Sequence, residues 1–248
     1  MMKSETTTVV QGDIARQPEP SGARHGNALR AGVLGSTDGL VSNLSLLMGV
    51  AGSGAPREAI IVAGFAGLVA GSLSMALGEY LSVQSSRELL ANQLVLEARE
   101  LEESPDAEVA ELREIYERKG VPPHLASELA EHMVRSDPRL ALDTMAREEL
   151  GFDPDELGGS AWVAAGTSLM LFAVGALVPV LPFLFAGPEV ALIGAAVLSA
   201  IALFGLGAGI TRLTGTNPVR SGARQLAFGA TAAAITYGIG LLVGSALR

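Results

Sequence analysis

The 248-residue sequence contains no cysteine. That excludes disulfides, thiolate ligation of zinc or iron–sulfur clusters, and thiol catalysis, and it leaves the redox state of the compartment unmarked. Aromatic residues are scarce, at one Trp, three Tyr and seven Phe, and the formal net charge is −9. A chain so short of stacking groups, and of the same sign as a phosphate backbone, is poorly equipped to bind nucleic acid, and no such partner is expected. Charged residues make up only 17 % of the chain, against roughly a quarter in soluble domains. Also missing are a Gly-rich phosphate loop carrying a Lys, a nucleophile elbow and a His-Glu-x-x-His motif, so nucleotide-driven pumps and hydrolases find no support. No secretory signal peptide is expected, because the charged first residues are not followed by an apolar run.

What is abundant is apolar and small: AVILMFWYC residues account for 49 %, beside 30 Gly, and the mean hydropathy is +0.39. Residues 1–27 are polar and read as a flexible tail. Beyond them, residues 28–51, 59–82, 161–185, 190–210 and 226–247 form five mostly apolar stretches. Each can cross a hydrocarbon layer of about 30 Å as a helix of about 20 residues. One such stretch could be a buried core helix, but five in so short a chain leave too little polar surface to cover them. The expectation is an all-α membrane protein with spans 1–2 in residues 28–87 and spans 3–5 in residues 159–248.

Lys3, Arg16, Arg24 and Arg30 precede span one, and Arg212, Arg220 and Arg224 follow span four, whereas the 1–2 turn has Arg57 alone and the 3–4 turn has no basic residue. The positive-inside rule then places the amino terminus in the cytoplasm and the carboxyl terminus outside. Gly67-x-x-x-Gly71 and Gly240-x-x-x-Gly244 allow close backbone approach, either within the subunit or at a dimer seam. Pro179 and Pro182 should kink or stop span three.

Between Glu88 and Glu156 lie 19 acidic and 7 basic residues, so this block carries −12 and the rest of the chain +3. It is patterned as helix. Leu89, Leu90, Leu94, Leu96 and Leu101, then Val109, Leu112, Ile115 and Tyr116, then Leu125, Leu129 and Met133 recur at spacings of three and four. Ser104-Pro-Asp106, Gly120-Val-Pro-Pro123, Ser136-Asp-Pro138 and Gly151-Phe-Asp-Pro154 punctuate it, with Ser or Asp available as helix caps. Residues 88–158 therefore read as a small helical domain on the cytoplasmic side, its first helix able to continue span two. Gly158, Gly159 and Ser160 form a hinge back into the membrane.

Ionisable side chains inside spans are costly and are functional candidates by default. Asp38 falls about ten residues into span one, with Ser42 and Asn43 as neutral oxygen donors after it. Glu79 lies near the cytoplasmic end of span two, four positions after Met75, so thioether and carboxylate share a helical face. Oxygen donors with one soft sulfur suit a divalent first-row ion; a carboxylate at low dielectric also binds a proton. The bland alternatives are that Asp38 caps a helix broken around Gly35 and Gly39 and that Glu79 sits among headgroups. In the acidic block, Glu97-x-x-Glu100, Glu108-x-x-Glu111 and Glu114-x-x-Glu117 put carboxylates one turn apart. They make either a metal cage of the kind built in helical bundles or a solvated face paired with Arg113, Arg118 and Lys119. Met145 and Glu149 repeat the Met/Glu spacing, and His124 and His132 read as surface residues.

Two segments carry a resemblance: Ala31-Gly-Val-Leu-Gly-Ser-Thr-Asp-Gly-Leu-Val-Ser-Asn43 and Gly64-Phe-Ala-Gly-Leu-Val-Ala-Gly-Ser-Leu-Ser-Met-Ala-Leu-Gly-Glu-Tyr-Leu-Ser-Val83. From about residue 28 onward the chain resembles the vacuolar iron transporter family, which includes yeast-type vacuolar iron and manganese importers and nodulin-like relatives. The resemblance implies a five-span subunit, a homodimer with the ion path at its interface, and proton-coupled export of Fe²⁺ from the cytosol, with Mn²⁺ as a second ion. It also implies a cytoplasmic helical metal-binding domain in the long insert between spans two and three. Asp38 and Met75 match the intramembrane path, and Glu79 falls in the matching Met-Ala-x-Gly-Glu stretch. Glu97, Glu100, Glu108, Glu111, Met145 and Glu149 look like the ligands of the insert, although Ala146 stands where family members can have a second Met. No permanently bound cofactor is implied, since the metal is substrate. Two rival readings are a membrane-anchored enzyme that oxidises or stores iron on the Glu cluster and a metal-sensing scaffold. The ferritin-like Glu-x-x-His motif is absent, because Glu128 and His132 are four apart. Fifteen Arg against two Lys, with the Ala and Gly load, point to a GC-rich bacterial source and so to the plasma membrane.

Overall fold

The computed structural model describes residues 21–154 and 160–246. The tail up to residue 20 and the hinge glycines Gly158 and Gly159 lie outside the described residues. All the regular elements described are helices: α1 Ser21–Gly52, α2 Arg57–Glu103, α3 Pro105–Arg118, α4 Pro123–Ser136, α5 Pro138–Glu148, α6 Ala161–Leu177, α7 Leu181–Phe185, α8 Pro188–Gly209, α9 Thr211–Thr214 and α10 Pro218–Ala246. Four are long and apolar enough to cross a membrane: α1 over Val33–Gly52, α2, α8 and α10. α6 is equally apolar and 17 residues long.

Some boundaries differ from the expected ones. α1 begins at Ser21, inside the stretch read as tail, because extending a packed helix adds one hydrogen bond per residue fixed and needs no apolar side chains. α10 begins at Pro218, well before residue 226. There the Asn217 side-chain oxygen accepts the N–H groups of Val219 and Arg220 at 2.9 and 3.2 Å and so caps the helix. α2 runs through 47 residues without interruption, about 70 Å at 1.5 Å per residue. It is too long for a membrane alone and leads from span two directly into the acidic block.

The chain divides into two compact units, Met1–Met75 with Thr167–Arg248, and Ala76–Gly166. In the first, α10 packs on α1 and α8, α1 also meets α8, and α7 lies against α8. A buried cluster that includes Leu44, Leu47, Met48, Ile60, Val180 and Phe183 forms its core. Glycine seams set the helix spacing: a Cβ at Gly240 or Gly244 would strike the Gly49 or Ser53 carbonyl, and one at Gly175 the Ser36 carbonyl. Both Gly-x-x-x-Gly pairs serve packing inside the chain, since Gly67 faces Asn43 and Leu46 and Gly71 faces Phe172. The outer faces expose Val62, Val69, Ile193, Val197 and Phe228, large apolar surfaces of the kind that meet lipid.

The stretch expected as span three is broken at its prolines. α6 stops at Leu177, and a tight turn through Val178–Val180 starts α7, with Val180 N–H donating to the Leu177 carbonyl at 3.0 Å. Pro179 has no N–H to donate. At the far end of α7 the Arg57 guanidinium donates to the Phe183 and Leu184 carbonyls at 2.8 and 2.9 Å, satisfying helix-terminal acceptors.

The second unit packs α3, α4 and α5 around Leu112, Tyr116, Ala126, Ala130, Val134 and Met145. The expected apolar faces are partly displaced. Leu89, Leu96 and Leu125 are exposed, and the buried face of α4 is Ala126, Ala130 and Val134. Alanines allow helices to approach, so the close-packed face is the small one and Leu125 falls to its rim. Of the possible caps, Asp137 serves, accepting Arg139 N–H at 2.9 Å, while Ser104 makes no side-chain cap bond. Tyr80 and the sole tryptophan, Trp162, pair with ring centroids 4.7 Å apart.

Candidate functional site

Two polar sites stand out, one in each unit. In the first unit a cavity of about 430 Å³ is lined by Asp38, Ser42, Asn43, Leu46, Gly67, Gly71, Ser74, Met75 and Phe172. Asp38 and Ser42 are one turn apart on α1, and the Ser42 hydroxyl donates to the Asp38 carboxylate at 3.0 Å. Met75 comes from α2 and brings its thioether to the same cavity. Gly67 and Gly71 stand on the same side of α2, where the absence of side chains lets Leu46, Asn43 and Phe172 close on the helix.

Asn43 has a more specific place than a neutral donor following Asp38. It is 2 % exposed, and its amide nitrogen donates to the Ala176 carbonyl at 2.6 Å and the Gly64 carbonyl at 3.1 Å. The Ala176 carbonyl is an orphan created by the break in span three: position 179 is a proline, and the N–H of Val180 is taken by Leu177. Asn43 therefore satisfies the end of α6 and ties α1, α2 and α6 together. Its amide oxygen has no hydrogen-bond partner, and a Cβ at Gly67 would come within 2.8 Å of it.

The structure thus brings Asp38, Asn43 and Met75 to one cavity. Glu79 is exposed on the next turn of α2 and is not among the lining residues. Ser74 and Phe172 were not singled out by the sequence, because a wall assembled from three helices leaves no spacing signal along any one of them.

In the second unit, Glu97 from α2, Glu108 from α3 and Glu149 at the end of α5 each bring a carboxylate oxygen within 4.8 Å of the others. The order of helices explains this. α2 continues past span two, the Ser104-Pro105 corner folds α3 back from it, and Glu149 is the residue that ends α5. Glu97 is 3 % and Glu108 6 % exposed, and Glu149 faces solvent. Buried carboxylates are rare unless paired, and Glu97 Oε1 has no hydrogen-bond partner.

The electrostatics follow from this crowding. Burial, then the charges of Glu149, Glu108, Glu100 and Glu111, push the Glu97 carboxyl up to about 7. Burial and the charges of Glu111 and Glu100 raise Glu108, with a side-chain hydrogen bond to Glu97 pulling the other way. Glu149 is raised by burial and by Glu111, Glu108 and Glu100. Near neutral pH Glu97 is poised between its protonated and charged forms, and a divalent cation would relieve the repulsion among the three carboxylates.

Glu100 and Glu111 are exposed and contribute field at this point. Met145 is fully buried in the apolar cluster with Leu112 and Tyr116. The acidic face is otherwise anchored by ion pairs such as Lys119–Glu148 and Arg135–Asp106.

Comparison with known proteins gives these sites a setting. A family model described as the VIT family matches residues 29–241. "Vacuolar iron transporter 2" of Oryza sativa subsp. japonica is 33 % identical over 223 residues, covering 89 % of each chain. "Vacuolar iron transporter 1" of Tulipa gesneriana is 33 % identical over 220 residues, 88 % of each chain. That of Arabidopsis thaliana is 32 % identical over 214 residues, 86 % of this chain and 84 % of its own. These relatives are named as transporters and not as enzymes, which overturns the iron-oxidising or storage alternative. The match covers both units and both polar sites, and this chain belongs to the VIT family.

Proposed function

We propose that the protein is an integral membrane transporter that exports Fe²⁺, and Mn²⁺ as a second ion, from the cytosol in exchange for protons. The observation that carries the reading is the convergence of Glu97, Glu108 and Glu149, two of them buried, with Glu97 held up to about 7. Such a cluster exchanges a proton for a divalent cation at cytosolic pH. The acidic block concentrates cations through its −12 charge, Glu97, Glu108 and Glu149 hold the ion, and Glu100 and Glu111 add to the field around it. Asp38, Met75 and Asn43 then pass the ion across, and Glu79 stands at the cytoplasmic mouth.

In this reading α6 with α7 is span three, which brings the spans to five. The amino terminus and the acidic domain are cytoplasmic and the carboxyl terminus is outside. The Tyr80–Trp162 pair supports a membrane boundary there, because amphipathic rings favour headgroup depth. Two copies form a homodimer with the path between them, and the membrane is a bacterial plasma membrane. Iron homeostasis and detoxification are the physiological uses.

The test is Fe²⁺ uptake into liposomes containing the full chain under an imposed pH gradient, wild type beside Asp38→Ala. Flux that follows the gradient and is lost in the variant is expected. Equal, gradient-blind signals from both would sink the antiport reading and favour a metal-sensing scaffold.

A further inference from the structure

The chain's positive charge has a local concentration that ion transport does not use. From Val190 to the last residue the sequence contains no Asp or Glu, yet it places Arg212, Arg220 and Arg224 within one short stretch. All three are exposed, and none makes an ion pair among the described residues. Arg57 behaves differently, since its guanidinium is engaged by two carbonyls. The first amides of α10 are also occupied, by the Asn217 side chain. The guanidinium groups are the donors left available at this end of the helix.

α10 has two unlike faces. Ser221, Gly222, Gly229, Ala233, Gly240 and Gly244 are its buried residues, a seam of small side chains against α1 and α8. The opposite face carries Arg220, Arg224, Phe228, Thr231, Ile235 and Leu242 at spacings of three, four and seven, which keep one side of a helix. All six are exposed, with Phe228 at 71 %, Ile235 at 58 % and Leu242 at 71 %. Two cations therefore lead directly into an uncovered apolar stripe. From Arg224 to Ile235 the axial rise is about 16 Å, close to one leaflet of a hydrocarbon core of about 30 Å.

We propose that this face of α10 binds an anionic phospholipid. Arg220 and Arg224 hold the headgroup phosphate by charge-assisted hydrogen bonds, and an acyl chain lies along Phe228, Thr231 and Ile235. Arg212 on α9 adds to the attracting field. The charge order along the stripe sets the polarity of the lipid, and α9 and α10 contain no carboxylate of their own to compete with it.

The experiment is native mass spectrometry of the full chain in detergent, titrated with phosphatidylglycerol, with phosphatidylcholine and with inorganic phosphate as separate arms. The wild type is expected to retain phosphatidylglycerol preferentially. R220Q/R224Q should weaken that retention about 25-fold, taking about fivefold per surface arginine, and R220K/R224K should keep most of it. R113Q/R118Q removes two cations from the acidic block and should leave retention unchanged. Equal retention of the two lipids would overturn the proposal, as would an effect of R113Q/R118Q matching that of R220Q/R224Q. Displacement of the lipid by equimolar inorganic phosphate would overturn the role of the apolar stripe. A second protein copy that occupies the face and leaves lipid retention indifferent to R220Q/R224Q would also reject it.

Discussion

The cavity around Asp38 and the cluster around Glu97 both gather oxygen donors, but by opposite means. The cavity holds one carboxylate among neutral groups, and its shape comes from glycines that let α1 and α6 approach backbone to backbone and let side chains of both settle against α2. The cluster holds three carboxylates within 4.8 Å, and its state comes from mutual repulsion and burial. Placement is secured by packing in the first and by charge balance in the second. A site of the first kind is sensitive to bulk and to loss of a single charge; one of the second kind is sensitive to pH and to its counter-cation.

The largest expected effect separates the two sites by function. Asp38→Ala should reduce gradient-driven Fe²⁺ flux to that of protein-free vesicles while leaving Fe²⁺ binding to the full chain, followed by calorimetry, near the wild-type value. If binding fell with flux, the two sites would not be independent.

Next comes the charge-balanced site. Glu97→Gln should weaken Fe²⁺ binding by at least about tenfold. In the wild type, binding should weaken as pH falls below about 7, where Glu97 holds its proton, and the variant should lose that dependence. The same shift acts on stability. Because Glu97 is raised above its ordinary value of 4.5 to about 7, its contribution in the metal-free protein is fully present below 4.5 and is lost as pH rises through about 7. Thermal unfolding of the metal-free chain between pH 5 and pH 8 should show this decline, with added Fe²⁺ reversing it at the upper end.

Asn43→Ala tests whether packing governs the cavity. Leaving the Ala176 carbonyl without a partner should cost about 1–3 kcal/mol, read as a lowered unfolding midpoint in detergent, with flux reduced and cluster binding intact. The smallest effect is expected at the rim of the acidic unit. Arg135→Ala removes an exposed pair with Asp106 and should change stability by only about 0.2–1 kcal/mol. A larger loss there would mean that surface charge supports the unit more than its core does.

Much of the fold was legible before any coordinates. Runs of apolar residues announce spanning helices because lipid tolerates no unpaired backbone, and Pro179 marks the break after Leu177. The unbroken α2 was foreshadowed by the absence of any Gly or Pro between Gly78 and Ser104. Less legible was the α4 core face. Periodicity weights large side chains and points Leu125 inward, where the structure buries Ala126. The ligand set was visible as pairs, Glu97 with Glu100 and Glu108 with Glu111. Which member of each pair turns inward depends on how α2, α3 and α5 rotate about their axes, and no local pattern encodes that.

The sequence by itself determined the apolar helices, the acidic block and the presence of Asp38 in an apolar stretch, because hydrophobicity and charge are properties of short segments. Only the tertiary structure decided that Asn43 closes the end of α6, that both Gly-x-x-x-Gly pairs pack inward, and that Glu97, Glu108 and Glu149 share one point. Those facts arise between residues far apart in the chain, where a hydrogen bond or a repulsion exists only once separate helices have been brought into contact.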